Sequence, residues 1–278
     1  MDVLTNPVKA KLLRDEVALG VGTTLGSPNI VELLAGQGFD WVLIDCEHGT
    51  INPETVEALA VAATSVGLTP IARPRTKNPA DIQQVMDRGV MGVQVPHVIT
   101  ADDARAVVEA VKYHPVGTRG IAAGTRPASY GFGITQSEYV EEANRETIVC
   151  VQFEDKEALD HVDEILQVDH IDVFFVGPAD LSHSLVYPGQ YDEPTVATAI
   201  DQTFKAIGGA GKIAGTSTNT DKVKATLDRG VRYVYTHVPR LLGASASAFF
   251  AAAKEKGCLL YTSPSPRAAP LSRMPSSA

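Results

Sequence analysis

The chain has 278 residues, 44% of them hydrophobic and 21% charged, which is enough apolar material for a large buried core. A formal net charge of -9 with no basic stripe argues against nucleic acid or an anionic membrane as a partner, because phosphates are met by clustered Lys and Arg. Residues 1–16 lack a secretion-type apolar stretch and no apolar run nears the roughly 20 residues that a spanning helix needs, so a cytoplasmic protein is expected.

In chain order, residues 6–16 read as a short amphipathic helix before a first strand at 17–25. Ser27 then stands at the cap of a helix with Pro28 in its first position, running to about Gly36. A strand at 41–46, a helix at 53–66 and a strand at 69–73 follow. Asn78-Pro79 opens the next helix, which closes at Gly89, and a strand at 92–96 precedes a helix at 101–113 capped by Thr100. Residues 114–146 form a long irregular excursion rich in Gly, Arg and aromatic residues, a length that usually carries function. Strands at 148–153 and 171–176 flank a helix at 156–167. The chain then alternates a helix at 193–208, a strand at 212–217, a helix at 220–229, a strand at 233–238 and a final helix at 240–256. Eight strands, each followed by a helical segment, predict a (β/α)8 barrel. An open doubly wound sheet is the alternative, but no G-x-G-x-x-G follows the first strand. Residues 257–278 carry four prolines and resemble translated vector sequence, so they are expected to lie outside the fold. Cys46, Cys150 and Cys258 are too few and too far apart for a zinc motif or a disulfide framework.

The chemistry concentrates where strands end. Right-handed crossover makes the strands at 148–153 and 171–176 parallel, so Glu154 and Asp180 emerge on one side of the sheet, and the period of two turns Gln152 and Glu154 to a common face. Two carboxylates with no Cys or His beside them suit a hard divalent cation that takes its other ligands from substrate and water. Capping of a helix by Glu154 and of a turn by Asp180 is the alternative. Gly177-Pro178-Ala179-Asp180 reads as a turn whose N–H groups make a nest for a carboxylate anion. Cation and nest together describe a site for a 2-oxo acid. A second cluster, Asp45-Cys46-Glu47-His48-Gly49, ends the second strand and offers Asp45 toward the substrate and His48 as an acid or base. Arg73 ends the third strand, where its planar fork suits an enolate oxygen. His97 and His237 are expected to line the pocket, because neither has an acidic neighbour in sequence. Lys212 starts its strand and only Lys77 is near the active face, which speaks against Schiff-base chemistry.

The segments WVLIDCEHG, ARP at 72–74, VQFE and GPADLS, in this order and spacing, resemble the class II, metal-dependent pyruvate aldolases of the HpcH/HpaI aldolase/citrate lyase family. The resemblance spans residues 6 to about 252. It implies a TIM barrel of the phosphoenolpyruvate/pyruvate-binding type, with the last helix exchanged between subunits of a homo-oligomer, a hexamer. It also implies reversible cleavage of a 4-hydroxy-2-oxo acid to pyruvate and an aldehyde with Mg²⁺, Mn²⁺ or Co²⁺. In that scheme Glu154 and Asp180 hold the metal, Arg73 contacts the pyruvyl oxygens, Gln152 hydrogen-bonds near the metal, and Gly177, Pro178 and Ala179 bind substrate. His48 acts as acid/base, oriented by Asp87. Two departures stand out: His237-Val238-Pro239 after the last strand, where many relatives carry Gly-Val-Asp, and Arg126-Pro127-Ala128-Ser129-Tyr130 in the excursion. An acyl-CoA lyase of the wider superfamily would need a basic nucleotide groove that the sequence lacks, and a non-catalytic oxo-acid-binding barrel would not need Glu154, Asp180 and Arg73 together.

Overall fold

The structure, a computed structural model, describes residues 5–255, so Cys258 and the tail lie outside the described residues. Its strands are β1 (Ala18–Thr23), β2 (Trp41–Asp45), β3 (Thr69–Arg73), β4 (Gly92–Val95), β5 (Ile148–Phe153), β6 (Val173–Val176), β7 (Ala214–Ser217) and β8 (Tyr233–His237). The α-helices are α1 (Pro7–Leu13), α2 (Pro28–Ala35), α3 (Pro53–Ser65), α4 (Pro79–Met86), α5 (Ala101–Val111), α6 (Gln136–Glu146), α7 (Val162–Leu166), α8 (Pro178–Ser184), α9 (Pro194–Gly209), α10 (Val223–Asp228) and α11 (Val238–Glu255). All strands are parallel to their neighbours and close in sequence order, with β8 returning to β1 in the register Ala18↔Tyr233. The chain divides into two compact units, one ending at Val238 and the other beginning at Pro239. The barrel belongs to the first.

Asn-Pro pairs start three of the helices for the same local reason. Asn6, Asn52 and Asn78 each accept a backbone N–H of the first turn, and the proline behind each has no N–H to leave unpaired. Thr100 and Thr135 make full capping boxes with Asp103 and Glu138. Ser27 occupies the N-cap of α2 but makes no side-chain cap bond.

Burial of apolar strand faces drives closure. The core joins Trp41, Leu43, Ile71, Ile148, Cys150, Val173, Phe175, Tyr233 and Tyr235, with Val8 and Leu12 of α1 packed against them. Trp41 stacks on Tyr233 at 4.0 Å between centroids, over Gly20, where a Cβ would meet the indole at 2.1 Å. Cys46 and Cys150 are buried free thiols, as expected of small core residues.

The excursion departs from the irregular segment expected. Its last third is α6, eleven residues long, started by the Thr135–Glu138 box, and Arg126–Gly131 is a 3-10 segment. Tyr113, Ala128 and Tyr139 form a small core of their own, with the two phenol oxygens 3.1 Å apart. Likewise, the helix expected at 156–167 is a 3-10 segment, Lys156–His161, followed by the single α-turn of α7.

Candidate active site

The C-terminal ends of β2 to β6 bring the chemistry together. Asp45 and Arg73 are register partners at the ends of β2 and β3. Arg73 donates Nε to Asp45 Oδ1 at 3.0 Å and Nη2 to Oδ2 at 2.6 Å, and its Nη1 lies 3.1 Å from Glu47 Oε2. Burial works against both charges, yet the hydrogen bonds and the opposite charge outweigh it: Asp45 is held below the usual carboxylate range and Arg73 above its ordinary value. Two of the five guanidinium N–H groups are hydrogen-bonded to Asp45, and the Nη1 end faces Glu47 as an ion pair.

Asp45 faces Arg73 and the turn that follows β2. Its Oδ1 also accepts the backbone N–H groups of Glu47 (3.1 Å) and His48 (3.3 Å), so both oxygens are occupied and only 3% of the residue is exposed. Sequence reading had no means of choosing between a carboxylate that faces substrate and one that faces the neighbouring strand.

Glu154 follows β5 and is 2% exposed. Gln152 Nε2 donates to its Oε2 at 2.6 Å, as the strand period implied, and the backbone N–H of His97 donates to its Oε1 at 2.7 Å. Burial nevertheless pushes the carboxyl up, with those two donors only partly opposing it. Gly177 packs directly on it: a Cβ there would lie 3.0 Å from Glu154 Cβ and Oε2. The expected turn at Gly177 is instead the N-cap and first turn of α8, so the segment offers the N–H groups of Ala179 and Asp180, while Pro178 has none. Asp180 is in that first turn, half-buried.

His48 is at the mouth with 57% of its side chain exposed, and Nε2 is 3.7 Å from Glu47 Oε2. Asp87 is not beside it. α4 carries the chain back over about 12 Å, eight residues at helical rise, and Asp87 caps its far end, bound through Oδ1 to Arg119 Nη2 at 2.7 Å. The expected orienting pair is thus not formed within one chain.

A match to the family model described as HpcH/HpaI aldolase/citrate lyase covers residues 23–236. The chain belongs to that family. It is 42% identical over 217 residues to a 2-keto-3-deoxy-L-rhamnonate aldolase of Klebsiella pneumoniae subsp. pneumoniae, covering 77% of this chain and 79% of the relative. It is 37% identical over 250 residues to a 4-hydroxy-2-oxo-heptane-1,7-dioate aldolase of Shigella flexneri, covering 90% and 93%. Among solved structures, a HpcH/HpaI aldolase/citrate lyase family protein of Burkholderia cenocepacia J2315 superposes with a TM-score of 0.83 at 31% identity, covering 89% of this chain and 99% of the other.

In this member of the HpcH/HpaI family, several residues at the site were not found from sequence. His97 was expected only to line the pocket for lack of an acidic neighbour. Folding gives it three: Nδ1 is 3.0 Å from Asp155 Oδ2 and 3.6 Å from Glu154 Oε1, and Nε2 is 3.4 Å from Glu47 Oε1. Its carbonyl accepts Lys77 Nζ at 3.0 Å and its φ is +53°. Gln94 donates Nε2 to Gln152 Oε1 from inside the barrel. The available signal was a polar residue in the apolar strand Gly92-Val93-Gln94-Val95, which the period of two could have turned inward. His237 packs edge-on against Tyr235 at 5.1 Å.

Proposed function

We propose that this enzyme is a metal-dependent aldolase that reversibly cleaves a 4-hydroxy-2-oxo acid to pyruvate and an aldehyde. The observation that carries the reading is the buried carboxyl of Glu154: hydrogen-bonded on both oxygens, pushed up by burial, and close-packed on the turn that bears Asp180. The donor set fits a hard divalent ion, Mg²⁺, Mn²⁺ or Co²⁺. Among the described residues no group of three or more His, Cys, Asp and Glu is arranged to hold a metal, so two carboxylates leave further positions for substrate and water. When bound, such an ion supplies Lewis acidity to the keto oxygen of a 2-oxo acid.

The remaining work falls to side chains of this chain. Arg73, hydrogen-bonded to Asp45 and paired with Glu47, has N–H groups on its terminal nitrogens left for the oxygen that gains charge as the C3–C4 bond breaks. Gln152 and the start of α8 at Gly177, Pro178 and Ala179 are assigned to holding the 2-oxo acid. His48, exposed at the mouth, is assigned to moving the proton at C3. Asp87 of the same chain does not reach it, so that dyad, where it operates, is completed by another copy of the chain.

A homo-oligomer, a hexamer in its finer form, is proposed with it. The support is α11, which leaves Leu242, Phe249 and Phe250 more than half exposed. Among the described residues no helix is long and apolar enough to cross a membrane. The test of function is deuterium uptake into pyruvate, followed by an aldehyde panel. Uptake that stops on chelation, returns with Mn²⁺ and is lost in Glu154→Gln and Asp180→Asn is expected. Undiminished uptake after exhaustive chelation would overturn the proposal.

A further inference from the structure

Interior positions of an eight-stranded parallel barrel are filled mostly by branched apolar side chains, and Gln94 breaks that pattern. It is 0% exposed, on a strand whose neighbours in sequence, Val93 and Val95, are buried hydrophobics. Its amide N–H goes to Gln152 Oε1, and Gln152 Nε2 goes on to Glu154 Oε2 at 2.6 Å. Tyr235 is also in contact with the Gln94 amide. Because β4 and β8 are not neighbours in the barrel, that contact runs through its interior.

The direction of this relay is decided at one end. A carboxylate only accepts, so Gln152 must turn its NH₂ to Glu154 and its carbonyl oxygen away. The oxygen, in a residue only 1% exposed, then needs a donor, and Gln94 is the side chain that provides one. A core position of purely structural value would be better served by Leu or Val. Gln94 instead carries a buried acceptor, Oε1, with no hydrogen-bond partner among the described residues. The group that its amide serves leads to Glu154.

We propose that Gln94 is a positioning residue of the site, which locks the Gln152 amide in the orientation that presents its N–H to Glu154. The inference rests on the reading of Glu154 as a metal ligand and adds to it a residue two steps removed. Without the Gln94 donor, the Gln152 amide loses its reason to keep one face toward Glu154. Once flipped it would set a carbonyl oxygen against the carboxylate.

The experiment is a double-mutant cycle in Mn²⁺ affinity, measured on the full chain without substrate by electron paramagnetic resonance of free Mn²⁺. Gln94→Met keeps the volume and removes the donor, and Gln94→Leu is measured beside it, with thermal unfolding to confirm that each variant is folded. Loss of a group that supports a metal ligand typically weakens the metal about tenfold to a hundredfold. Gln94→Met should weaken Mn²⁺ by about tenfold, Gln152→Leu by at least as much, and the double variant by no more than Gln152→Leu alone. Unchanged affinity in folded Gln94→Met and Gln94→Leu, or additive losses in the double variant, would overturn the proposal while leaving Glu154 as ligand. Wild-type protein whose Mn²⁺ binding is absent or insensitive to Glu154→Gln would overturn the reading beneath it, and this inference with it.

Discussion

Arg73 and Asp45 face each other as register partners on adjacent strands, and the guanidinium grips the carboxylate side-on through Nε and Nη2. Both are buried, so the pair sets the orientation of the N–H groups that Arg73 has left. Arg73→Lys keeps the charge but not the fork, and turnover should fall about a hundredfold, the size of one oxyanion contact. Asp45→Asn should lower turnover similarly and cost about 1–3 kcal/mol in stability, because the buried guanidinium loses one of its two counter-charges and keeps only Glu47. Steady-state kinetics beside urea unfolding separates the two effects. A wild-type rate in Arg73→Lys would place Arg73 outside the reaction.

Gly177→Ala tests how tightly Glu154 is seated. The backbone there, φ -90°, accepts any residue, so the only new element is a methyl group 3.0 Å from Glu154 Cβ and Oε2. Either the carboxylate or α8 must shift by a few tenths of an ångström. Mn²⁺ affinity should drop about tenfold with little change in melting temperature. Equal affinity would mean that the ion is not held by the Glu154 carboxylate in this position.

His48→Ala should retain Mn²⁺ and pyruvate binding and slow deuterium uptake into pyruvate by about a hundredfold, a typical contribution of a general base. Exchange at the wild-type rate would move the base elsewhere. Asp87→Asn is the companion measurement. It breaks the Arg119 pair within the chain, so a loss of exchange without a loss of stability would point to Asp87 acting on another subunit.

The backbone at His97 is left-handed, φ +53°, and this conformation aims its N–H at Glu154. Glycine tolerates that region and a β-branched residue does not, by about 1–2 kcal/mol. His97→Val should therefore weaken Mn²⁺ and His97→Gly should weaken it less. The reverse order would mean that the imidazole, and not the backbone, is what Glu154 needs.

Lys112 gives the pH dependence with the clearest sign. Burial lowers its pKa to about 8 from 10.5, while Nζ donates to the carbonyls of Asn144 and Thr147, each at 2.8 Å. Between those two values the unfolded chain holds the proton and the folded one does not, so stability rises with pH through that window. The cost of burying the charge is fully present below pH 8 and is relieved by pH 10.5. Relative to Lys112→Met, wild type should gain about 3 kcal/mol across that range in urea unfolding. A constant difference would show that the amine is hydrated.

Much of the fold was legible because its signals are local. The Asn78-Pro79 helix start and the strands at 69–73 and 148–153 were read to the residue, since each depends on a few adjacent side chains. What was missed locally was also specific. The Thr135-x-x-Glu138 box opens α6 inside a segment read as irregular, and Gly177-Pro178 opens a helix where a nest was expected, since glycine and proline begin helices as readily as turns.

The sequence by itself determined that eight strands alternate with helices and that Asp45, Arg73, Glu154 and Asp180 come at or just after strand ends, because period and termination are properties of neighbouring residues. Only the tertiary structure decided which of these groups meet. Asp45 went to Arg73 across 28 residues, His97 to Glu154 across 57, and Asp87 to Arg119 rather than to His48. Those choices follow from strand register and from which end of the barrel each helix terminus reaches. Both are settled by packing between segments far apart in the chain, where the identity of a residue says what bond it can make and not with whom.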